Sequence, residues 1–286
     1  MPSHLIKKMS NNTPLGKSIA QPLTYSPQSL ASISRSIARK VLPEDKLAQM
    51  RGYDVWTFWE CSWLDDNGVA QQAVVQMIVP ADSPFIVESK SLKLYLNSLN
   101  NHCVGEKEDL FQLLKTDLTP VLGIEPLFKV VSQDALQRHN PQGDCVDDYR
   151  SQISSVFSHS TRLQAFAQEN KQTQPRSLYS HLFRSLCPVT AQPDFASVYV
   201  HNFSINPKSL LSYWLSFRNH QGFHEQCIEQ MFCDFYAYAK QHNGDEKLLK
   251  VGGAFTRRGG IDIHPIRYHQ KSGYKITDPI QYTLMQ

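Results

Sequence analysis

The chain has 286 residues, with 29 Lys+Arg against 26 Asp+Glu for a formal net charge of +3, and it is 41% hydrophobic and 19% charged. A charge so near zero argues against a nucleic-acid binder held by phosphate electrostatics, and the apolar share can support a core, which argues against disorder across most of the chain. The length fits one large domain or two small ones without choosing between them.

The stretch to about Pro43 is rich in Ser, Asn, Gln and Pro and reads as an extended arm with a short helix near 30–41. Its Gly16-Lys17-Ser18 is the tail of a phosphate-loop pattern, but that loop needs Gly where Asn11 stands. No apolar h-region follows the first basic residues, so no secretory signal is expected. The apolar run 73–81 falls far short of the roughly 20 residues of a membrane span. From Tyr53 the pattern turns to β. Val55, Trp56, Phe58 and Trp59 run into the turn Asp65-Asp66-Asn67-Gly68, and 69–79 returns, which predicts a hairpin. Helices follow at 88–101, where Leu92, Tyr95, Leu96 and Leu99 keep helical spacing, and at 106–118. The segment 132–176 is polar and reads as a linker with some strand content. A strand is expected at 196–205, a helix opening on Pro207 and running to about Arg218, a longer helix at 224–241, and a closing strand pair at 247–255 and 261–268.

The two halves repeat. Displaced by 118 positions, 89–102 lies on 207–220, matching Lys90 with Lys208, Leu92 with Leu210, Tyr95 with Tyr213, Asn101 with Asn219 and His102 with His220. Displaced by 117, Gly105 meets Gly222, Glu108 meets Glu225 and Asp117 meets Asp234. A duplicated supersecondary unit with a single one-residue gap explains all of these matches. The predicted fold class is α+β, with two similar modules, each an antiparallel sheet carrying two helices on one face. The expected division is an arm at 1–45, a first module with its linker at 46–175 and a second module at 176–286.

Three clusters carry chemistry. Glu88-Ser89-Lys90-Ser91-Leu92-Lys93-Leu94-Tyr95 opens a helix, where Glu88 is either a simple cap favoured by the helix dipole or a functional acid. Cys187-Pro188-Val189-Thr190-Ala191-Gln192-Pro193-Asp194 puts a cysteine and an acid seven apart in a proline-stiffened loop. Lone cysteines are commonly buried and inert, but this setting suits a nucleophile with a proton donor better. Phe223-His224-Glu225 starts a helix; it is either a solvated first turn or a proton shuttle beside a ligand anchor. The other cysteines, Cys61, Cys103, Cys145, Cys227 and Cys233, form no C-x-x-C pair with one another or with Cys187, so neither structural zinc nor a thioredoxin-like motif is indicated.

Together these motifs resemble the NADPH-dependent 7-cyano-7-deazaguanine reductases, the nitrile reductases of queuosine biosynthesis, in their long two-module form. Arg257-Arg258-Gly259-Gly260-Ile261-Asp262 and Pro14-Leu15-Gly16-Lys17 also match that family. The resemblance implies tandem tunnelling-fold modules. It implies that Cys187 adds to the nitrile as thiolate to give a covalent thioimide, that Asp194 supplies a proton, and that His224 positions or protonates the intermediates. Glu225 would accept hydrogen bonds from the guanine-like edge, with Val87, Glu88 and Ser89 completing the substrate pocket. Ser89, Lys90, Arg258 and Gly259 would bind NADPH, two of which are needed per nitrile. Also implied are a small deazapurine substrate, no metal and a homodimer, while the near-neutral charge, the lack of a signal or span and the scattered cysteines predict a cytoplasmic chain without direct nucleic-acid or membrane contact. Asn206-Pro207 replaces Glu88-Ser89 in the second half, which implies one composite site drawing on both halves. A zinc cyclohydrolase on the same fold lacks a convincing ligand set here, a cysteine hydrolase leaves the cofactor residues without a purpose, and a purine-binding module leaves the cysteine, acid and His-Glu constellation without one.

Overall fold

A computed structural model describes Gly16 and residues 20–132, 140–153, 174–242 and 246–274. The N-terminal segment is not simply an arm. It forms strand β1 (Ser32–Ser34), helix α1 (Arg35–Arg39), shorter than the helix expected at 30–41, and helix α2 (Glu44–Leu47). The hairpin forms as expected from β2 (Met50–Leu64) and β3 (Ala70–Pro80), turning at Gly68 with φ 76°. Strand β4 (Phe85–Val87) pairs antiparallel with β1, which laces the N-terminal segment to the main body.

Two helices follow, α3 (Ser89–Ser98) and α4 (Lys107–Leu122), and then β5 (Leu127–Val130). On α4, Leu110, Leu114, Leu118 and Leu122 recur every four residues, and all four are buried. They pack with Leu92, Tyr95 and Leu96 of α3 against Trp56, Phe58, Val75 and Met77 of the hairpin. Each such leucine contributes roughly 1.5–3 kcal/mol of hydrophobic stabilisation. The expected linker contains the two-residue strand β6 (Asp144–Cys145), and the parts of it at 133–139 and 154–173 lie outside the described residues.

The second half contains β7 (Arg176–Leu186), β8 (Pro193–Phe203), α5 (Pro207–Leu215), α6 (His224–Gln241), β9 (Lys250–Phe255) and β10 (Ile261–His269). Its core sets Leu210 and Trp214 of α5 and Ile228, Phe232 and Phe235 of α6 against Val198 and Val200. The expected closing strand pair is real but short, since β9 and β10 pair over three residues. The longer partner of β10 is β2, over nine residues from Ile261↔Phe58 to His269↔Met50. The two halves therefore share one eight-stranded sheet in the order β5-β3-β2-β10-β9-β8-β7-β6. The fold is α+β with antiparallel hairpins carrying helix pairs, as expected, and β6–β7 is the one parallel pair in that sheet among the described residues.

The repeat is visible atom by atom. The Tyr95 hydroxyl donates to Asp117 Oδ2 at 2.6 Å, and the Tyr213 hydroxyl to Asp234 Oδ2 at 2.8 Å. Ser98 Oγ donates to the Tyr95 carbonyl and Ser216 Oγ to the Tyr213 carbonyl, both at 2.6 Å. The Leu64 N–H reaches the His102 carbonyl and the Leu186 N–H reaches that of His220, both at 2.9 Å. Among the described residues no helix is long and apolar enough to cross a membrane.

Candidate active site

The loop 187–192 joins β7 to β8 and is closed on itself. The Cys187 N–H donates to the Gln192 carbonyl at 2.8 Å, and the Ala191 N–H to the Cys187 carbonyl at 3.0 Å. Ala191 takes a left-handed φ of 56°, a conformation that costs a non-glycine residue energy and holds the turn tight. This fold-back leaves Cys187 half-buried, with the Thr190 N–H 3.5 Å from Sγ. Asp194 follows Pro193 at the start of β8 and is 5% exposed. Its Oδ1 lies 3.0 Å from Arg258 Nη1 and 3.4 Å from His224 Nε2. Arg258 Nη2 also donates to the Pro193 carbonyl.

His224 and Glu225 form the first turn of α6. The Phe223 N–H at the helix start is satisfied by Gln226 Oε1 at 3.1 Å. The His224 ring stacks on Phe255 with centroids 3.9 Å apart and planes 9° from parallel, which fixes its orientation. Glu225 is 3% exposed. Among the described residues, His224 Nδ1 and Glu225 Oε1 are buried without a hydrogen-bond partner. Such atoms are costly unless a ligand satisfies them. Burial pushes the Glu225 carboxyl above its ordinary range and the Asp54 charge adds to that, while Arg35 and His224 oppose it.

From the first half, β4 ends at Val87 and Glu88 caps α3. Its Oε1 accepts the Lys90 N–H at 2.6 Å and its Oε2 the Ser91 N–H at 2.9 Å. Glu88 is 1% exposed; burial raises its proton affinity and these hydrogen bonds oppose the rise. Ser89 and Lys90 lie in the first turn of α3. Arg258 and Gly259 occupy the turn between β9 and β10, where Gly259 and Gly260 have φ of 56° and 79°. Two successive left-handed residues suit the tight hairpin turn, and glycine adopts them without penalty. A side chain on Gly259 would collide with the Lys93 ammonium.

All ten residues singled out from the sequence line one cavity of about 660 Å³: Val87, Glu88, Ser89 and Lys90 from the first half, and Cys187, Asp194, His224, Glu225, Arg258 and Gly259 from the second. Asp194 and Arg258, given separate roles by the resemblance, are an ion pair. Glu88 is both cap and cavity wall, so the two readings of it are compatible. Lys93, Ile33 and Ile86 also line the cavity and were not singled out. The i, i+3 spacing of Lys90 and Lys93 could have revealed the former of these; nothing in the sequence marks Ile33, which reaches the wall through a three-residue strand. Of the Pro14–Lys17 motif, only Gly16 is a described residue, and it lines the cavity; Pro14, Leu15 and Lys17 lie outside the described residues. A flat heterocycle and an anionic cofactor segment both suit this lining, which combines the buried Glu225 Oε1 with Lys90, Arg258 and Lys93, the last of these against Gly259.

A family model described as nitrile reductase, 7-cyano-7-deazaguanine-reductase N-term, matches residues 22–127, and one described as QueF-like protein matches 193–274. The chain is 39% identical over 259 residues to the NADPH-dependent 7-cyano-7-deazaguanine reductase of Acinetobacter baylyi, covering 88% of this chain and 92% of that one. The proteins of the same name from Acinetobacter baumannii and Teredinibacter turnerae are 38% identical over 259 residues and 39% identical over 260. Those alignments cover 88% and 90% of this chain, and 92% and 91% of the relatives.

Proposed function

The chain belongs to the 7-cyano-7-deazaguanine reductase family of nitrile reductases, and from that footing we propose that it reduces the nitrile of 7-cyano-7-deazaguanine to the aminomethyl group of 7-aminomethyl-7-deazaguanine, with NADPH as reductant. The observation that carries this reading is the convergence of Cys187, Asp194, His224 and Glu225 with Val87–Lys90 around one cavity.

The Cys187 thiolate adds to the electrophilic nitrile carbon. A C–S bond forms, one π bond of the nitrile breaks, and the nitrogen takes from Asp194 the proton that this carboxylate accepted from the Cys187 thiol, giving a thioimide. His224, fixed by its stack on Phe255 and 3.4 Å from Asp194, stands where it can relay that proton. Glu225 accepts the ring N–H and the exocyclic amino group, two adjacent donors that match a carboxylate. Glu88 closes the substrate pocket from the first half, beside Val87 and Ser89. Ser89, Lys90, Arg258 and Gly259, joined by Lys93, hold the NADPH phosphates, which need cations and a close backbone approach. When bound, NADPH supplies hydride, two equivalents for the four-electron change from nitrile to amine. The module boundaries at 45/46 and 175/176, a free deazapurine base rather than nucleic acid as substrate, a cytoplasmic location and a homodimer belong to the same proposal. For the homodimer, β5 at one end of the sheet leaves Leu127 and Val130 exposed, and sheet edges of this kind invite pairing.

The test is NADPH oxidation followed at the nicotinamide band with 7-cyano-7-deazaguanine as substrate. Two NADPH should be consumed per nitrile, and Cys187→Ala should consume none. With NADPH withheld, mass spectrometry should find the substrate on Cys187. Ammonia release without NADPH oxidation would replace the reading with a hydrolase, and no oxidation at all would overturn it.

A further inference from the structure

The N-terminal segment brings two arginines to an internal ion cluster, Arg35 buried within it and Arg39 half-buried at its rim. Arg35 on α1 is 5% exposed. Its Nη2 lies 2.5 Å from Asp54 Oδ2 on β2, its Nε donates to Ser83 Oγ at 3.0 Å, and its Nη1 is 3.6 Å from Glu229 Oε1 on α6. Arg267 on β10 has no exposed surface and reaches Asp54 Oδ1 at 2.7 Å and Glu229 Oε1 at 2.9 Å. Arg39, the outermost of the three, grips both oxygens of Glu229, at 2.6 and 2.9 Å, and donates to the Ala81 carbonyl at 2.6 Å.

Three guanidinium groups and two carboxylates leave an excess of 3 − 2 = +1. Buried charge is tolerated when it is paired and is costly otherwise. One helical turn from Glu229, on the same face of α6, lies Glu225. It is 3% exposed, and the charges acting on it are Asp54, Arg35 and the adjoining His224. Adding its carboxylate brings the count to zero.

We propose that this cluster is the counter-charge of Glu225, and that Arg35, delivered by the N-terminal segment, is a positioning residue for substrate recognition. The proposal rests on the reading of Glu225 as the acceptor of the deazaguanine edge. A protonated Glu225 would turn an O–H donor toward the substrate's N–H donors and lose the match. Burial and Asp54 push Glu225 toward that state, and Arg35 holds it away. The β1–β4 pairing fixes where the arginine enters, with Ser34 opposite Phe85 and the Arg35 N–H bonded to the Pro84 carbonyl at 3.0 Å.

The experiment measures kcat and KM for 7-cyano-7-deazaguanine from pH 5.5 to 9 in the wild type and in the Arg35→Gln, Arg35→Lys, Asp54→Asn and Glu225→Gln variants. In Arg35→Gln the acidic limb of kcat/KM should move up by about one pH unit or more. That is about a tenfold loss at any pH on the limb, falling on KM rather than on kcat. Arg35→Lys should restore the limb, and Asp54→Asn should move it the opposite way. Loss of stability alone lowers the active fraction of both variants and moves no midpoint. An unmoved limb in Arg35→Gln, or shifts of the same sign in Arg35→Gln and Asp54→Asn, would therefore overturn the proposal. Glu225→Gln separates the two failures. An unchanged KM in that variant removes the reading of Glu225 itself. A raised KM in that variant with an unmoved limb in Arg35→Gln removes only the counter-charge.

Discussion

Replacing Glu88 separates the two tasks that one side chain performs. As a cap it satisfies two backbone N–H groups of α3, at 2.6 and 2.9 Å, and it also lines the cavity proposed to take the substrate. The second half shows what the cap alone requires, because Asn206 stands at the equivalent place and accepts the Lys208 N–H at 2.9 Å. Glu88→Asn should therefore keep most of the cap, and Glu88→Ala should lose it. The alanine variant is expected to be about 1 kcal/mol less stable than the asparagine one, a difference of about 2–4 °C in melting temperature for a chain of this size. Both variants lose the carboxylate. A hydrogen bond to a charged group is worth about 1.5–3 kcal/mol, so kcat/KM should fall about 10- to 150-fold in each. Differential scanning fluorimetry and steady-state kinetics on the same preparations read the two effects separately. An asparagine variant with wild-type kcat/KM would reduce Glu88 to a cap. One that melts as low as the alanine variant would break the parallel with Asn206.

Other outcomes follow from the geometry. Asp194→Asn should lower kcat about 10²-fold or more, the range for loss of a general acid, with KM for the nitrile changed far less; an equal fall in substrate affinity would assign Asp194 to binding. Gly259→Ala forces a side chain onto the Lys93 ammonium at a left-handed position, so KM for NADPH should rise about tenfold while saturation by the nitrile is kept; an unchanged cofactor KM would remove the turn from the cofactor site. Tyr95→Phe and Tyr213→Phe delete equivalent bonds to Asp117 and Asp234 and should each cost about 1–2 kcal/mol in urea unfolding; a loss in only one half would mean that the repeat is not energetic. Burial alone would raise the Glu229 carboxyl, but the Arg39 hydrogen bonds and the charges of Arg267, Arg39 and Arg35 bring it down to about 2. Its stabilising contribution is then complete above the ordinary value of 4.5 and is lost as pH falls toward 2. The stability gap between wild type and Glu229→Gln should shrink over that window, and a constant gap would contradict the assignment.

The site was more legible in the sequence than the fold was. Helices α3 to α6 announce themselves through apolar spacing, and the one-residue gap in the repeat falls between α3 and α4, outside both helices, so that Leu114 and Leu118 keep the phase of buried Met231 and Phe235 on α6. Strand β7 was not anticipated. Its register shifts between Arg176 and Leu178 and again between Ser180 and Phe183, and each shift resets the alternation by which a strand is recognised. The pairing of β10 with β2 was hidden for a different reason, because no local signal encodes a partner about 200 residues away. The cavity residues were readable because their chemistry is concentrated in short motifs. Arg35, Arg39 and Arg267 were not, because scattered arginines look like solvated surface until the fold gathers them around Asp54 and Glu229.

The seam between β2 and β10 sets a timetable for synthesis. Phe58 leaves the ribosome about 200 residues before its partner Ile261, which at 5–20 residues per second is a delay of about 10–40 s. Throughout that interval the inner edge of the first hairpin is an open row of amides, the kind of edge that recruits other chains. The same strand supplies the Asp54–Arg267 contact and follows the Arg258–Gly259 turn. The cavity therefore closes only when translation reaches β10, and a nascent chain carries Cys187 well before the walls around it are complete.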